Sequence, residues 1–236
     1  MISASIVSHG HGIMVPNLVR QLLNCPEISR IIITFNTPED SISYPNDPKV
    51  QFIYNINPKG YGANHNTASK LAKEQFFCVL NPDIELLENP FPSLLKCQGI
   101  QDVKLVAPLV ISKSGQIEDS MRYSPSLRSL ISKLFFGDSG SYQISFGDQV
   151  IFPNWVAGMF MLFDLKKYEL IGGFDESFFM YYEDVDICER IWLSGSRVAG
   201  DLSSRVIHDA RRASHRNLTH MRWHLMSMMR YLWRYR

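Results

Sequence analysis

The first 110 residues alternate short apolar runs with helical stretches, and this alternation constrains the fold more than any other feature. Five runs have the length and β-branched content of buried strands: 3–8, 30–35, 50–54, 76–80 and 103–107. Apolar residues recur at helical spacing over 15–23, and 64–72 is also interpreted as a helix. Short apolar strands joined through helices build a mostly parallel sheet with helices on both faces. We therefore predict an α/β domain.

The chain changes character after residue 111. Residues 112–153 are rich in Gly and Ser with weak periodicity, which predicts a long excursion containing one helix near 127–136. Residues 155–165 form the next apolar run, and a short helix after this run is expected to end at Gly172-Gly173. The remaining predictions are a helix over 184–193, a short last strand at 205–207 and a C-terminal helix over 218–233.

Charge is divided unevenly along the chain. The 24 Lys and Arg nearly balance the 23 Asp and Glu, which gives a formal net charge of +1. Seven of the Arg, and no acid, lie within 211–236, so the preceding residues carry 17 bases against 23 acids. A basic C-terminal segment on an acidic body favours contact with an anionic surface, either membrane or nucleic acid.

Composition excludes several classes of protein. A chain with 45% hydrophobic and 20% charged residues is not disordered. No uninterrupted apolar run approaches the ~18–20 residues of a membrane span, and no secretory signal is visible at the N-terminus. The four Cys are scattered without a C-x-x-C pair, which argues against a zinc site or a disulfide framework. These features predict a cytoplasmic protein.

Two loops that follow predicted strands are candidates for ligand binding. Asp83 stands just beyond the strand 76–80, where open α/β sheets bind ligands and a carboxylate can hold a hard cation. The alternative is a turn that closes the strand. In 57–66, Gly60 and Gly62 precede a helix and would let backbone approach a phosphate. This loop matches neither a dinucleotide fingerprint nor a P-loop, so a plain loop is the alternative.

Three acids open the helix expected at 184–193. Glu183, Asp184 and Asp186 follow the aromatic segment 178–182. A carboxylate in apolar surroundings can have its pKa raised toward that of a general base. The alternative is that these acids only stabilise the helix N-terminus. Side chains two residues apart point in different directions, so we expect Asp184 and Asp186 to have different roles, one of them structural.

In order, the notable segments are NPKGYGANHN, LNPD, WVAGMFMLF, GGFDESFFMYYEDVDICER and then His208 followed by ARRASHR. Together they resemble the inverting family 2 glycosyltransferases of GT-A (Rossmann-like) fold, particularly the bacterial rhamnosyltransferase-like branch that builds cell-surface polysaccharides. The resemblance covers residues 3–215. It implies a GT-A domain over 1–210, with a nucleotide-sugar-binding half at 1–110 and an acceptor and catalytic half at 111–210. A basic helical extension then occupies 211–236.

The resemblance also implies roles for individual residues. Asp184 matches the catalytic base, with Glu183 and Asp186 as supporting acids. Asp83 and His208 match the site of a divalent cation, Mg²⁺ or Mn²⁺. The residues expected to bind the donor are Ser8, His9, Gly10, Asn36, Asn57, Gly60, Gly62, Asn66, Asn81 and Arg211. Those expected on the acceptor side are Trp155 and Gly158.

Three positions depart from the family pattern. Asn81 replaces the first acid of the Asp-x-Asp motif, which weakens the metal assignment. Asn36 stands where an Asp commonly contacts the base, and His9-Gly10-His11 replaces a Tyr-Asn type sequence. The base preference therefore stays open at this point.

The expected activity is transfer of a sugar, with dTDP-rhamnose as the leading donor, to a lipid-linked or oligosaccharide acceptor. Two alternatives keep the fold: transfer from a UDP-sugar, or a catalytically inactive scaffold that binds sugar nucleotides. Nucleic acid is not an expected partner, because the body is acidic and the C-terminal Arg residues lie among apolar residues.

The C-terminal helix has two interpretations. Arg222, Arg230 and Arg234 are spaced by eight and four residues, so they should form one stripe beside Met and Trp side chains. Such a helix suits an anionic lipid surface, with the protein peripheral on the inner face of the cell membrane. Alternatively, it packs on the domain or on a second subunit of a homodimer, with its Arg residues solvated.

Overall fold

The computed structural model describes residues 1–39, 42–125, 141–143, 147–208 and 218–235. Within these ranges the strands are β1 (Ile2–Ser8), β2 (Ile28–Phe35), β3 (Val50–Tyr54), β4 (Phe76–Leu80), β5 (Ile84–Leu86), β6 (Val103–Ile111), β7 (Met121–Arg122), β8 (Val150–Ile151), β9 (Trp155–Val156), β10 (Phe160–Asp164) and β11 (Arg197–His208). The helices are α1 (Met14–Leu23), α2 (Tyr61–Ser69), α3 (Phe91–Gln98), α4 (Leu165–Leu170), α5 (Glu183–Leu193) and α6 (Leu218–Tyr235). The helix predicted near 127–136 lies outside the described residues.

Nine strands form one sheet in the order β3-β2-β1-β4-β10-β6-β11-β5, with β8 paired beside β11. The pairs β3-β2, β2-β1, β1-β4 and β6-β11 are parallel, and β10 lies antiparallel between β4 and β6. Because β10 is antiparallel to both neighbours, β6 and β11 run in the same direction as β1–β4. The prediction of a mostly parallel α/β sheet is confirmed.

Helices cover both faces of the sheet, as predicted. Along β2, Ile31 and Ile33 pack into the core that includes α1 and α3. The intervening Ile32 packs into the opposite core, which includes residues of α2, α4 and α5. This alternation follows from the two-residue period of a strand, and it explains why the strands are apolar on both sides.

The last strand along the chain, β11, is much longer than predicted. It spans Arg197–His208, whereas only 205–207 was expected. Its register shifts between Asp201 and Arg205, where the buried Asp201 carboxylate accepts hydrogen bonds from the hydroxyls of Ser203 and Ser204. These polar residues interrupt the apolar pattern that a sequence search for strands relies on.

Other differences are smaller. α2 begins at Tyr61, three residues before its predicted start, and β6 extends four residues beyond its predicted end. The short elements β5 and α3 were not predicted. Pro90 and Gly99 flank α3 closely, so its apolar residues resemble a loop between turns.

The C-terminal helix α6 packs on the domain. Tyr231 is fully buried against a cluster that contains Phe178, Tyr182 and Val185. Arg234 contacts the carboxylates of Asp175 at 2.6 Å and Asp186 at 3.0 Å. Arg230 donates a hydrogen bond to the Ser177 carbonyl. Two of the three Arg residues of the predicted stripe therefore contact the domain, so the helix packs on the domain as one interpretation had it, but without leaving these two Arg residues fully solvated. No helix in the described part of the chain is long and apolar enough to cross a membrane.

Candidate active site

A cleft of about 340 Å³ opens where β1 and β4 end, beside the first turn of α5. The carboxyl ends of neighbouring parallel strands form the usual ligand-binding edge of an open α/β sheet. Its polar lining includes His9, Tyr61, His65, Asn81, Asp83, Glu183 and Asp184. The cleft thus joins the two acidic segments, near residues 83 and 184, that were predicted separately.

Asp184 lies in the first turn of α5, where two backbone groups bind its carboxylate. Oδ2 accepts the N–H of Gly158 at 3.0 Å, and Oδ1 accepts the N–H of Val185 at 2.9 Å. Burial raises the pKa of this carboxyl, and the backbone donors oppose that rise. A carboxylate that is fixed in position and has a raised pKa suits a general base.

Glu183 precedes Asp184 and is also buried in the cleft lining. Its Oε2 has no hydrogen-bond partner among the described residues. Burial, and then the neighbouring Asp184 charge, raise the pKa of Glu183 well above its ordinary value. Two adjacent buried carboxyls do not ionise together readily. Because Asp184 accepts two N–H groups and Glu183 Oε2 accepts none in the described chain, the geometry favours the charge on Asp184 and the proton on Glu183.

A strained turn directs these acids into the cleft. Tyr181 and Tyr182 both have left-handed backbone, with φ of 69° and 66°. This conformation costs a residue other than glycine on the order of 1–3 kcal/mol. Packing offsets the cost: Tyr182 lies against Tyr231 of α6, and the Tyr181 hydroxyl lies 2.9 Å from Nδ1 of His220. α6 therefore holds the turn in place.

Asp186 points away from the cleft and is fully buried. Its carboxylate accepts hydrogen bonds from Arg190 Nε at 2.8 Å, Arg234 at 3.0 Å and the Tyr235 hydroxyl at 2.7 Å. These contacts tie α5 to α6, which is a structural role distinct from the position of Asp184.

Asp83 and His208 approach each other at the end of β11. Oδ2 of Asp83 lies 3.4 Å from Nε2 of His208, and Oδ1 of Asp83 is buried with no partner in the described chain. The described residues contain no group of three His, Cys, Asp or Glu suited to hold a metal ion. A divalent cation commonly takes only one or two protein ligands and completes its shell with phosphate oxygens and water. This donor pair, with its unpartnered oxygen, fits such an ion.

Two Asn residues expected to bind the donor, Asn36 and Asn66, join segments of the framework through their side-chain amides. The Asn36 side chain is fully buried and bonds the backbone N–H and carbonyl of Lys59 at 2.8 and 2.9 Å. The Asn66 Oδ1 accepts the Tyr168 hydroxyl at 2.6 Å and the Phe174 N–H at 2.9 Å. Each amide joins segments that are distant in sequence.

The glycines of the 57–66 loop allow close packing of α2. A Cβ on Gly60 would lie 2.7 Å from the carbonyl oxygen of Phe179, and one on Gly62 would lie 2.5 Å from Cβ of Phe174. The Phe179 carbonyl also accepts the N–H of Tyr61 at 3.0 Å. In this structure the two glycines bring α2 against the segment that leads to Asp184.

The cleft brings together part of the predicted site. The predicted residues that line it are His9, Asn81, Asp83, Gly158, Glu183 and Asp184. Within the described chain, those outside its lining are Ser8, Gly10, Asn36, Asn57, Gly60, Gly62, Asn66, Trp155, Asp186 and His208. Arg211 lies outside the described residues. Trp155 lies on β9, where its Nε1 donates to the Tyr123 carbonyl at 3.0 Å.

Sequence reasoning missed Tyr61 and His65, which line the cleft from α2. The Tyr61 hydroxyl donates to the Gly158 carbonyl, next to the N–H that binds Asp184. His65 is fully buried, with Nδ1 2.8 Å from Ser5 Oγ, and burial lowers its pKa to about 3. A polar residue on the inner side of a helix that follows a glycine loop was the available signal.

We expect His65 to make the protein less stable as the pH falls from 6.5 toward 3. The folded imidazole stays neutral across this range, whereas the unfolded one binds a proton below about 6.5. The unfolded state then binds more protons, so the free energy of unfolding falls with pH. Urea unfolding at pH 7.5 and 4.5 should show the wild type losing about 2–3 kcal/mol more than His65→Gln. Equal losses in the two proteins would contradict this assignment.

Comparisons with known proteins relate this chain to glycosyltransferases. No family model matches the chain. The rhamnosyltransferase WbbL of Escherichia coli K12 is 28% identical over 250 residues, covering the whole chain and 94% of that relative. The N-acetylglucosaminyl-diphospho-decaprenol L-rhamnosyltransferase of Mycobacterium tuberculosis H37Rv is 26% identical over 74% of this chain and 63% of that relative. The structure of GalNAc-T7 with UDP, GalNAc and Mn²⁺ aligns with a TM-score of 0.68 at 14% identity, covering 89% of this chain and 43% of the other.

Proposed function

We propose that this chain, a family 2 rhamnosyltransferase-like glycosyltransferase with the GT-A fold, transfers L-rhamnose from dTDP-rhamnose with inversion. The acceptor would be a lipid-linked or growing cell-surface glycan. The names of the two relatives support the sugar, and the decaprenol-linked acceptor of the mycobacterial relative supports a lipid carrier. The observation that carries the proposal is the position of Asp184, fixed by the Gly158 N–H in the cleft that also contains Asp83.

In the proposed reaction, Asp184 removes the proton of an acceptor hydroxyl as its oxygen attacks the anomeric carbon. The bond from that carbon to the diphosphate oxygen breaks, and the nucleoside diphosphate leaves. One displacement inverts the anomeric centre. The Gly158 and Val185 N–H groups fix the carboxylate during this step, while Glu183 stays neutral and leaves a single negative charge at the base.

Asp83 and His208 would hold a divalent cation, as proposed from their contact and from the unpartnered Asp83 oxygen. The Mn²⁺ in the structure of GalNAc-T7 supports this expectation. When bound, the ion would neutralise charge on the diphosphate leaving group. Asn81 lines the same cleft as Asp83 and contributes an amide in place of a second carboxylate.

A panel of nucleotide sugars with Mn²⁺ tests the proposed function. We expect dTDP-rhamnose to raise the melting temperature and to release dTDP when a lipid-diphosphate-linked N-acetylglucosamine acceptor is present. A donor at 100 times its Kd adds about 2.7 kcal/mol to the free energy of unfolding. A response to a UDP-sugar alone would replace the donor assignment. Binding without release of nucleotide would favour the inactive scaffold. No response to any donor would contradict both the transferase and the scaffold hypotheses.

We also propose that the outer side of α6 contacts anionic lipid on the inner face of the cell membrane. Met221, Leu225, Met229 and Trp233 recur every fourth residue, and their exposed fractions are 65, 50, 53 and 90%. This apolar stripe adjoins the exposed Arg222 on a helix without acidic residues. A helix of this type lies in the plane of the interface.

Vesicle sedimentation at low salt tests the lipid contact. The wild type should bind vesicles that contain phosphatidylglycerol, and Met229→Ser/Trp233→Ser should bind several-fold more weakly, since apolar area buried in the interface sets the affinity. Phe52→Ser, which changes an exposed aromatic residue on β3, is the matched control. Concentration-dependent dimerisation that the double variant abolishes, without vesicle binding, would assign the stripe to a homodimer instead.

A further inference from the structure

Glu118 contacts His208 at the ring nitrogen opposite the one that faces Asp83. Oε2 of Glu118 lies 2.9 Å from Nδ1, and Oδ2 of Asp83 lies 3.4 Å from Nε2. The three side chains are between 11 and 21% exposed, so the contact is largely shielded from water. The imidazole therefore lies between two carboxylates that are 35 residues apart in sequence.

The chain after β6 is folded so that Glu118 reaches this position. β6 ends at Ile111, and the chain turns back so that Ile117 bridges to Ile111. Ile111 also pairs with Ile207 in the parallel pair of β6 and β11. The returning segment therefore places Glu118 next to His208, the last residue of β11. The contact depends on backbone pairing at both ends, which makes it a fixed feature of the sheet edge.

The contact determines what the imidazole presents to Asp83. Glu118 can accept the proton of Nδ1, and in that tautomer of the neutral ring Nε2 directs its lone pair toward Asp83. A lone pair and a carboxylate oxygen repel each other unless positive charge lies near both. Asp83 also has a buried Oδ1 without a partner in the described chain. The arrangement therefore favours a cation held by the Asp83 carboxylate and Nε2.

We propose that Glu118 is a positioning residue for this cation site: it holds the His208 ring with Nε2 toward the ion and strengthens Nε2 as a ligand. Carboxylates that accept the second N–H of a ligating His commonly do both. Glu118 would thereby supply, through the ring, the negative charge that Asn81 does not bring to the site. The inference rests on the metal-binding part of the proposed function.

Titration of Mn²⁺ into the full chain, followed by the electron paramagnetic resonance signal of the free ion, tests this role. Each titration is run with excess dTDP and again with excess UDP. We expect Glu118→Gln to raise the Kd for Mn²⁺ by about 10–100-fold, the range for losing such a carboxylate. Glu85→Gln removes an exposed acid on β5, two residues from Asp83, and should leave the Kd within about twofold of the wild type. Asn81→Asp in the Glu118→Gln background should recover part of the affinity.

Several outcomes would overturn the inference. It fails if Glu118→Gln binds Mn²⁺ like the wild type, or if Glu85→Gln weakens binding equally, because the effect would then be one of general charge. It also fails if the wild type binds no Mn²⁺ with either nucleotide. Sugar transfer by the same wild-type preparation in EDTA would then show that the proposed activity stands without the ion. Circular dichroism and the melting temperature of each variant separate loss of binding from loss of fold.

Discussion

Asp184→Asn should lower kcat by about 10²–10⁴-fold, the contribution of a positioned general base. The amide keeps the size of the carboxylate, and its oxygen can still accept the Gly158 N–H that fixes Asp184. The fold should therefore survive, whereas the acceptor hydroxyl loses the group that takes its proton. Initial rates of nucleotide release with donor and acceptor present measure the effect.

The pH dependence of kcat adds an independent check. Burial raises the pKa of Asp184 above its ordinary value of 3.8, so the rate of the wild type should fall on the acid side above that value. This limb should be absent from the residual rate of Asp184→Asn. Glu88→Gln, a change at an exposed acid outside the cleft, serves as the control and should retain both rate and profile. A folded Asp184→Asn protein with wild-type kcat would show that another group is the base.

Asp186→Ala should lower the free energy of unfolding by about 3 kcal/mol, the largest loss expected among the proposed variants. The fully buried carboxylate binds Arg190 and Arg234, and removing one partner of a buried ion pair leaves the other charges uncompensated. The two Arg side chains are 21 and 37% exposed, which places the expected loss at the lower end of the usual 3–5 kcal/mol range. Urea unfolding at pH 7 measures the change in the free energy of unfolding.

Two further variants sharpen this test. Arg222→Ala removes an exposed Arg from the same helix and should change stability by no more than about 0.5 kcal/mol. Arg234→Ala combined with Asp186→Ala should cost less than the sum of the two single changes, because each already breaks their shared contact. Strict additivity would mean that the contact between Asp186 and Arg234 does not couple α5 to α6.

Periodicity predicted the sheet well because local pattern decides it. The limits of β3 and β4 were predicted correctly, and those of α1 to within one residue. Periodicity did not predict the full length of β11, because the buried Asp201 and its Ser partners break the apolar pattern there. A strand whose continuity depends on side-chain hydrogen bonds does not show the two-residue period.

The site was only partly predictable, because several roles depend on partners far away in the chain. Asn66 bonds to Phe174, 108 residues away, and His208 bonds to Glu118, 90 residues away. Residue type alone could not distinguish an Asn that binds a ligand from one that joins two segments. Likewise, helical spacing placed Arg234 on a stripe, but only the fold reveals the acids that meet it.

The left-handed pair Tyr181-Tyr182 has a consequence for how modular this enzyme is. The turn is held by Tyr231 and His220 of α6, which the sequence analysis assigned to a basic helical extension beyond the domain 1–210. A chain cut before residue 218 would keep every residue that lines the cleft, yet it would lose the support of the turn that aims Asp184. We therefore expect the smallest competent catalyst to include α6, and truncations that remove this helix to disturb the position of Asp184.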